Sequence, residues 1–154
     1  MSIRIGLISD THGLLRPEAL DYLQGSDYIV HGGDIGSQEI LDELAKIAPV
    51  TAVRGNNDRE DWAQHVPETD FLQVGEMFIY ALHDLALLDI DPAAAGVRVV
   101  VTGHSHMPLI DERDGVLYVN PGSAGPRRFT LPISAGELIV DGARVQAHTR
   151  QIVQ

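Results

Sequence analysis

Cysteine is absent from the 154-residue chain, which excludes a disulfide framework and any thiolate metal site. Lysine is nearly absent: Lys46 stands alone beside ten arginines, and the formal net charge is −11. A surface of that sign repels polyanions, so extended contact with a DNA or RNA backbone is not expected. No apolar run approaches the ~20 residues that span a bilayer. Met1-Ser2-Ile3-Arg4 leads straight into a strand-like run, not into a basic stretch followed by an apolar signal core. The expectations are no membrane association and a cytoplasmic setting. Internal repeats, linkers and low-complexity segments are lacking too, and ~100–200 residues is the usual size of one domain. One domain over residues 1–154 is therefore expected.

What is present reads as an ordinary globular chain, 44% hydrophobic and 21% charged. Ile3 to Ile8 forms a buried strand that ends at Ser9-Asp10, and a short helix follows Pro17, which suits a first helical turn. Asp27 to His31 is a second strand. Ser37 stands as an N-cap before a helix whose apolar stripe is Ile40, Leu41, Leu44 and Ile47. Pro49 stops it, and Val50 to Val53 is a third strand before Gly55. This alternation predicts parallel strands with helical crossovers. Beyond the polar segment from Arg59 to His65 the pattern changes. Asp70 to Val74 and Met77 to Leu82 form a hairpin, Pro92 to Ala95 a short helix, and Val97 to Val101 another strand. Leu109–Asp111 with Val116–Val119, and Leu138–Val140 with Arg144–His148, flank turns at Asp114-Gly115 and Asp141-Gly142. The fold class expected is α/β, as two packed sheets in one domain.

Polar residues gather just past the C-terminal ends of these strands. The first strand delivers Asp10-Thr11-His12, the second Asp34 and the third Asn56. The hairpin delivers His83, and the later strand delivers His104-Ser105-His106. Ligands of open α/β sheets sit at this end. Asp, Asn and neutral His suit manganese, iron, zinc or related ions. The i, i+2 spacing of Asp10-x-His12 and His104-x-His106 puts each pair on one face if the backbone is extended. Seven candidate ligands exceed the four of one tetrahedral zinc and suffice for two ions if one carboxylate bridges.

In this order, D-x-H, G-D, G-N-x-D, a lone His and G-H-x-H, the residues resemble the calcineurin-like metallophosphoesterase superfamily. The short chain and the Asn120-Pro121-Gly122-Ser123 run are most similar to its small YfcE-like phosphodiesterases. The resemblance spans Asp10 to about Arg128 and implies a double β-sheet sandwich flanked by helices. It further implies that Asp10, His12 and His106 hold one divalent ion. Asn56, His83 and His104 would hold the other, and Asp34 would bridge them. Manganese is favoured, with iron, zinc, nickel or magnesium as alternatives. The activity implied is hydrolysis of a small phosphate ester, most readily a phosphodiester, by metal-activated water, with Asp34, Asn56 and Asn57 as the catalytic set. The chain departs from the pattern twice. Asn57 stands where many relatives carry a histidine that assists the leaving group, and an amide is no general acid. Asp84 follows His83 where glycine is usual, and either alters the loop or adds a carboxylate near the metals.

Other residues carry plainer readings. His31 is a hydrogen-bonded support, His65 and His148 are surface or strand positions, and Asp58 braces its turn. Trp62 and Phe71 are core or interface anchors, and Asn120 ties down its loop. Arg127-Arg128 either binds phosphate or forms a solvated pair. Ser123 lies in no G-x-S-x-G elbow, which leaves a serine hydrolase without support. The alternatives are a phosphomonoesterase or nucleotide pyrophosphohydrolase, and a non-catalytic interaction scaffold such as the retromer subunit built on this fold. Self-association is left open.

Overall fold

The computed structural model describes residues 2–154. Ten strands form two five-stranded sheets. The first has the order β10-β9-β1-β2-β3, with β1 at Ile3–Ile8, β2 at Tyr28–His31, β3 at Val50–Ala52, β9 at Ile133–Asp141 and β10 at Arg144–Val153. The second has the order β4-β5-β6-β8-β7, with β4 at Thr69–Val74, β5 at Met77–Leu82, β6 at Val97–Val101, β7 at Leu109–Arg113 and β8 at Val116–Asn120. β1, β2 and β3 run parallel, as do β5, β6 and β8. Antiparallel strands complete each sheet.

The sheets face each other across Ile5, Leu7, Val30, Val99, Val101, Val119 and Leu138, all at most 1% exposed. Strands buried on both faces lose the alternating pattern, which is why β1 and β6 read as continuous apolar runs. Helices α1 (Pro17–Leu23) and α2 (Gln38–Ala45) cover the outer face of the first sheet, burying Ala19, Leu23, Ile40 and Leu44 against Ile8 and Ile29. Trp62 packs at the edge of that same cluster, whereas Phe71 is half-exposed and lies against Tyr80. No helix among the described residues is long and apolar enough to cross a membrane.

Four local expectations need correction. Pro92 to Ala95 is a set of hydrogen-bonded turns, not a helix, with Val97 N–H bonded to the Pro92 carbonyl. The four residues from Pro92 to Ala95 cannot offset the cost of helix nucleation. β9 begins at Ile133, five residues before the expected Leu138, because Ser134, Ala135 and Gly136 are small and carry no apolar signature despite being buried. β10 runs on to Val153. Ser37 occupies the N-cap of α2 in extended backbone, but its side chain makes no capping bond.

Candidate metal centre

Four of the six parallel strands lead into a ligand-type side chain turned toward the same point. Asp10 follows β1, Asp34 follows β2, His83 follows β5, and His106 lies beyond β6. Asp10, Asp34, His83 and His106 are 0%, 3%, 6% and 3% exposed. Ligand atoms of Asp10, His12 and His106 lie within 4.8 Å of one another, and so do those of Asp10, Asp34 and His83. Asp10 Oδ1 stands 3.3 Å from His106 Nε2, 3.8 Å from His12 Nε2 and 3.9 Å from His83 Nε2. Asp34 Oδ2 stands 3.2 Å from His83 Nε2 and 3.7 Å from His12 Nε2. Five of the seven expected ligands thus converge, and both carboxylates lie between the histidines.

The other two lie at the rim. His104 is half-exposed, edge-on to His83 with ring centroids 5.2 Å apart, and its Nε2 is 3.8 Å from Asp84 Oδ2. Asn56 is exposed and lines a cavity of about 280 Å³ together with His83 and Asp84. Asn57 donates from its backbone N–H and its amide to the two oxygens of Asp34, at 2.9 and 3.1 Å.

The backbone that presents these groups is not extended, contrary to the face argument drawn from i, i+2 spacing. Asp10, His12, Asp34, His104 and His106 all have positive φ, between 47° and 72°. They are five of the seven non-glycine residues in that region among the described residues. Such conformations cost about 1–3 kcal/mol each and persist where the surroundings fix them. The spacing instead marks paired left-handed kinks that turn both side chains inward.

Hydrogen bonds fix the orientation of each group. Asp10 Oδ2 accepts from Ser9 Oγ at 2.7 Å and from His104 N–H at 3.1 Å, leaving Oδ1 free toward the imidazoles. His83 Nδ1 donates to the Gly32 carbonyl at 2.7 Å, so Nε2 is the nitrogen turned to the carboxylates. Both Asp10 Oδ1 and His83 Nε2 are buried without a hydrogen-bond partner. Buried orphans of this kind are rare in folded proteins. Here one is an anionic oxygen and the other an imidazole nitrogen, and His12 Nε2 faces His106 Nε2 at 3.4 Å. That donor set fits divalent cations.

The electrostatics agree. Burial pushes the Asp34 carboxyl up, but the neighbouring His83, the Asn57 N–H and the charge of His12 bring it down to about 2. Burial likewise opposes ionisation of Asp10, yet His106, His83 and Ser9 hold it below its ordinary value. Burial lowers His83, but Asp34 and Asp10 outweigh it and raise the group, so a proton and a dication compete for one nitrogen.

Four further residues support the ligands from behind. Asp58 accepts backbone N–H groups from Ile35, Gly36 and Gly55, tying the Asp34 loop to the Asn56 loop. Asn120 Nδ2 donates to the Gly103 carbonyl and to Ser105 Oγ, and Ser123 Oγ donates to the Asp10 carbonyl. His31, fully buried, accepts from Gly33 N–H at Nδ1, so Nε2–H donates to Thr11 Oγ1, whose hydroxyl donates to the Ile35 carbonyl. His65 and His148 lie elsewhere, the latter 3.0 Å from Glu137. Arg127 is exposed and donates to the Gln154 carbonyl.

Burial, against the weaker pull of Asp10 and Asp58, lowers His31 from 6.5 to about 4 and keeps it neutral in the folded protein. The unfolded chain takes up this proton near pH 6.5 and the folded protein only near 4. His31 therefore contributes fully above pH 6.5, and the contribution falls by about 1.4 kcal/mol per unit of pH between those values. Urea unfolding of metal-stripped protein and His31→Gln from pH 7.5 to 5 should show the stability difference between them shrinking as pH falls. A constant difference would mean that His31 titrates alike in both states.

A family model described as the calcineurin-like phosphoesterase superfamily domain matches residues 3–142. A probable metallophosphoesterase of Methanothermobacter thermautotrophicus is 36% identical over 93% of this chain and 89% of its own length. Phosphodiesterase YfcE of Escherichia coli K12 is 30% identical over 98% of this chain and 95% of its own. The structure of vacuolar protein sorting 29 from Cryptosporidium parvum superposes with a TM-score of 0.76 at 21% identity, covering 97% of each chain. That last likeness is one of fold alone.

Proposed function

From the premise that this chain belongs to the calcineurin-like phosphoesterase superfamily, we propose that it is a phosphodiesterase working at a two-ion centre with manganese as the favoured metal. The observation that carries this reading is the convergence of Asp10, His12, Asp34, His83 and His106 around two buried atoms with no protein partner, Asp10 Oδ1 and His83 Nε2. Asp10, His12 and His106 would hold one ion. Asn56, His83 and His104 would hold the second, with Asp34 shared. Bound there, the ions would polarise phosphoryl oxygens and bring the pKa of a water from 15.7 towards about 7.

The chain's own residues set the rest. Asn57 fixes both oxygens of Asp34 and so keeps the shared carboxylate in register. Its amide has no proton to give, so esters whose leaving groups are already acidic react best. The cavity beside His83 and Asn56 receives the organic part of the substrate. Glu68, Asp84 and Asp89 line it, and Arg54 is already 3.3 Å from Glu68. That lining disfavours polyphosphates and nucleic acid and favours a small ester of low charge.

Purified protein assayed with Mn²⁺ should hydrolyse bis-p-nitrophenyl phosphate faster than p-nitrophenyl phosphate, and a chelator should abolish both activities. Equal turnover of the two would replace the diesterase with a general phosphoesterase. The outward position of His104 favours one rival, a non-catalytic scaffold. A scaffold would show no hydrolysis with any added divalent ion, and elemental analysis would find it metal-free.

A further inference from the structure

Resting on the two-ion reading above, we propose that Asp84 supplies a third carboxylate to the metal centre, on the side of the second ion. β5 ends at Leu82, and the next two side chains diverge. His83 turns inward, while Asp84 stays about one-third exposed at the edge of the cavity that His83 and Asn56 also line. The Asp84 carboxylate is held at one oxygen only. Oδ1 accepts the Ala86 N–H at 3.0 Å and caps the 3-10 turn Leu85–Leu87. This bond fixes the carboxylate and leaves Oδ2 facing His104 Nε2 at 3.8 Å. With metal–ligand bonds of ~2.0–2.2 Å, two donor atoms of one ion stand at most about 4.4 Å apart, and this pair lies within that limit. A second observation marks the same side: His83 Nε2 is more than nine-tenths buried and has no hydrogen-bond partner.

Charge gives the reason. Asn56, His83 and His104 are neutral donors, so without Asp84 the second ion has only a share of Asp34. Two dications would then face two carboxylates, Asp10 and Asp34. A third carboxylate strengthens the second site and gives it harder oxygen character, favouring Mn²⁺ or Mg²⁺ over Zn²⁺. The exposure of His104 follows from the same arrangement, since its imidazole is drawn to the rim where Asp84 stands.

The test is calorimetric titration of chelator-stripped, full-length protein with Mn²⁺, and then with Zn²⁺. Asp84→Asn keeps an oxygen for the Ala86 cap and removes only the charge, so the fold is retained. The unaltered protein is expected to bind two Mn²⁺. In Asp84→Asn one site should weaken by about 10–100-fold while the other stays within about twofold. Zn²⁺ should lose less than Mn²⁺. Glu68→Gln removes a charge from the same cavity at an exposed residue and should leave both sites within about twofold. Unchanged Mn²⁺ binding in Asp84→Asn, or an equal loss in Glu68→Gln, overturns the assignment of Asp84 and leaves the two-ion reading standing. Fewer than two ions in the unaltered protein overturns the two-ion reading itself.

Discussion

Asp34→Asn is expected to lower phosphodiesterase turnover by at least about 10³-fold and to leave no more than one tightly held ion per chain. The magnitude follows from the role proposed for the carboxylate. Metal assistance is worth several kcal/mol of transition-state charge stabilisation, and each 1.36 kcal/mol is tenfold in rate. Asp34 Oδ2 is the carboxylate oxygen nearest His83 Nε2 and is also close to His12, so it faces ligands assigned to both ions. An amide at this position presents either a weaker neutral oxygen or an NH₂ group, and the NH₂ would oppose one of the Asn57 donors. Loss of metal and loss of rate should therefore appear together, read by elemental analysis and by steady-state kinetics on bis-p-nitrophenyl phosphate. The unfolding midpoint of the metal-stripped variant should stay close to that of the unaltered protein. If full metal content and full turnover survive, Asp34 is not the shared ligand, and Asp10, whose Oδ1 lies within 3.9 Å of His12, His83 and His106, takes that position.

The sequence and the structure agree most closely where burial is complete. β1, β2, β5 and β6 are apolar runs because both faces are covered, and each is followed within three residues by a carboxylate or imidazole of the site. That rule alone places Asp10, Asp34, His83 and the His104–His106 segment at one edge, without any knowledge of packing. It does not give backbone sign. Asp and His tolerate left-handed backbone poorly compared with glycine, so nothing in D-x-H announces two positive φ values. The glycines of the motifs were equally opaque, since their role depends on which loops meet. A Cβ on Gly55 would fall 2.1 Å from Asp34 Oδ1 and 2.2 Å from the Asp34 backbone nitrogen. On Gly103 it would fall 2.1 Å from Ser9 Oγ and 2.6 Å from Asp10 Oδ2. Each of these glycines precedes one candidate ligand but is required by a different one across the site. The spacing along the chain therefore records contacts between loops far apart in sequence.

Asp58 shows the same limit in its sharpest form, and its replacement should have the largest effect on stability. Read as a sequence, Gly55-Asn56-Asn57-Asp58 is a turn braced by its last side chain. In the fold, Asp58 is 3% exposed and its Oδ2 accepts both Gly55 N–H and Ile35 N–H at 3.0 Å, while Oδ1 accepts Gly36 N–H at 3.1 Å. Only the first of these bonds is local; the other two cross 22 and 23 residues to the loop that carries Asp34. Removing the carboxylate leaves two buried N–H groups, those of Ile35 and Gly55, and the part-buried N–H of Gly36 without an acceptor. Buried unsatisfied groups cost about 1–3 kcal/mol each, so Asp58→Ala should lose about 3–5 kcal/mol once some relaxation is allowed. Asp58→Asn should fall between, at about 2–3 kcal/mol, because one oxygen can still serve two donors while the new NH₂ meets the third. Denaturant unfolding of the metal-stripped proteins tests this ordering. Activity adds a second readout: with the tether cut, the Asp34 and Asn56 loops move independently, and Mn²⁺ should bind more weakly even at temperatures where Asp58→Asn is fully folded. Should Asp58→Asn match the unaltered protein in both unfolding free energy and Mn²⁺ affinity, the two loops are held by something other than this carboxylate.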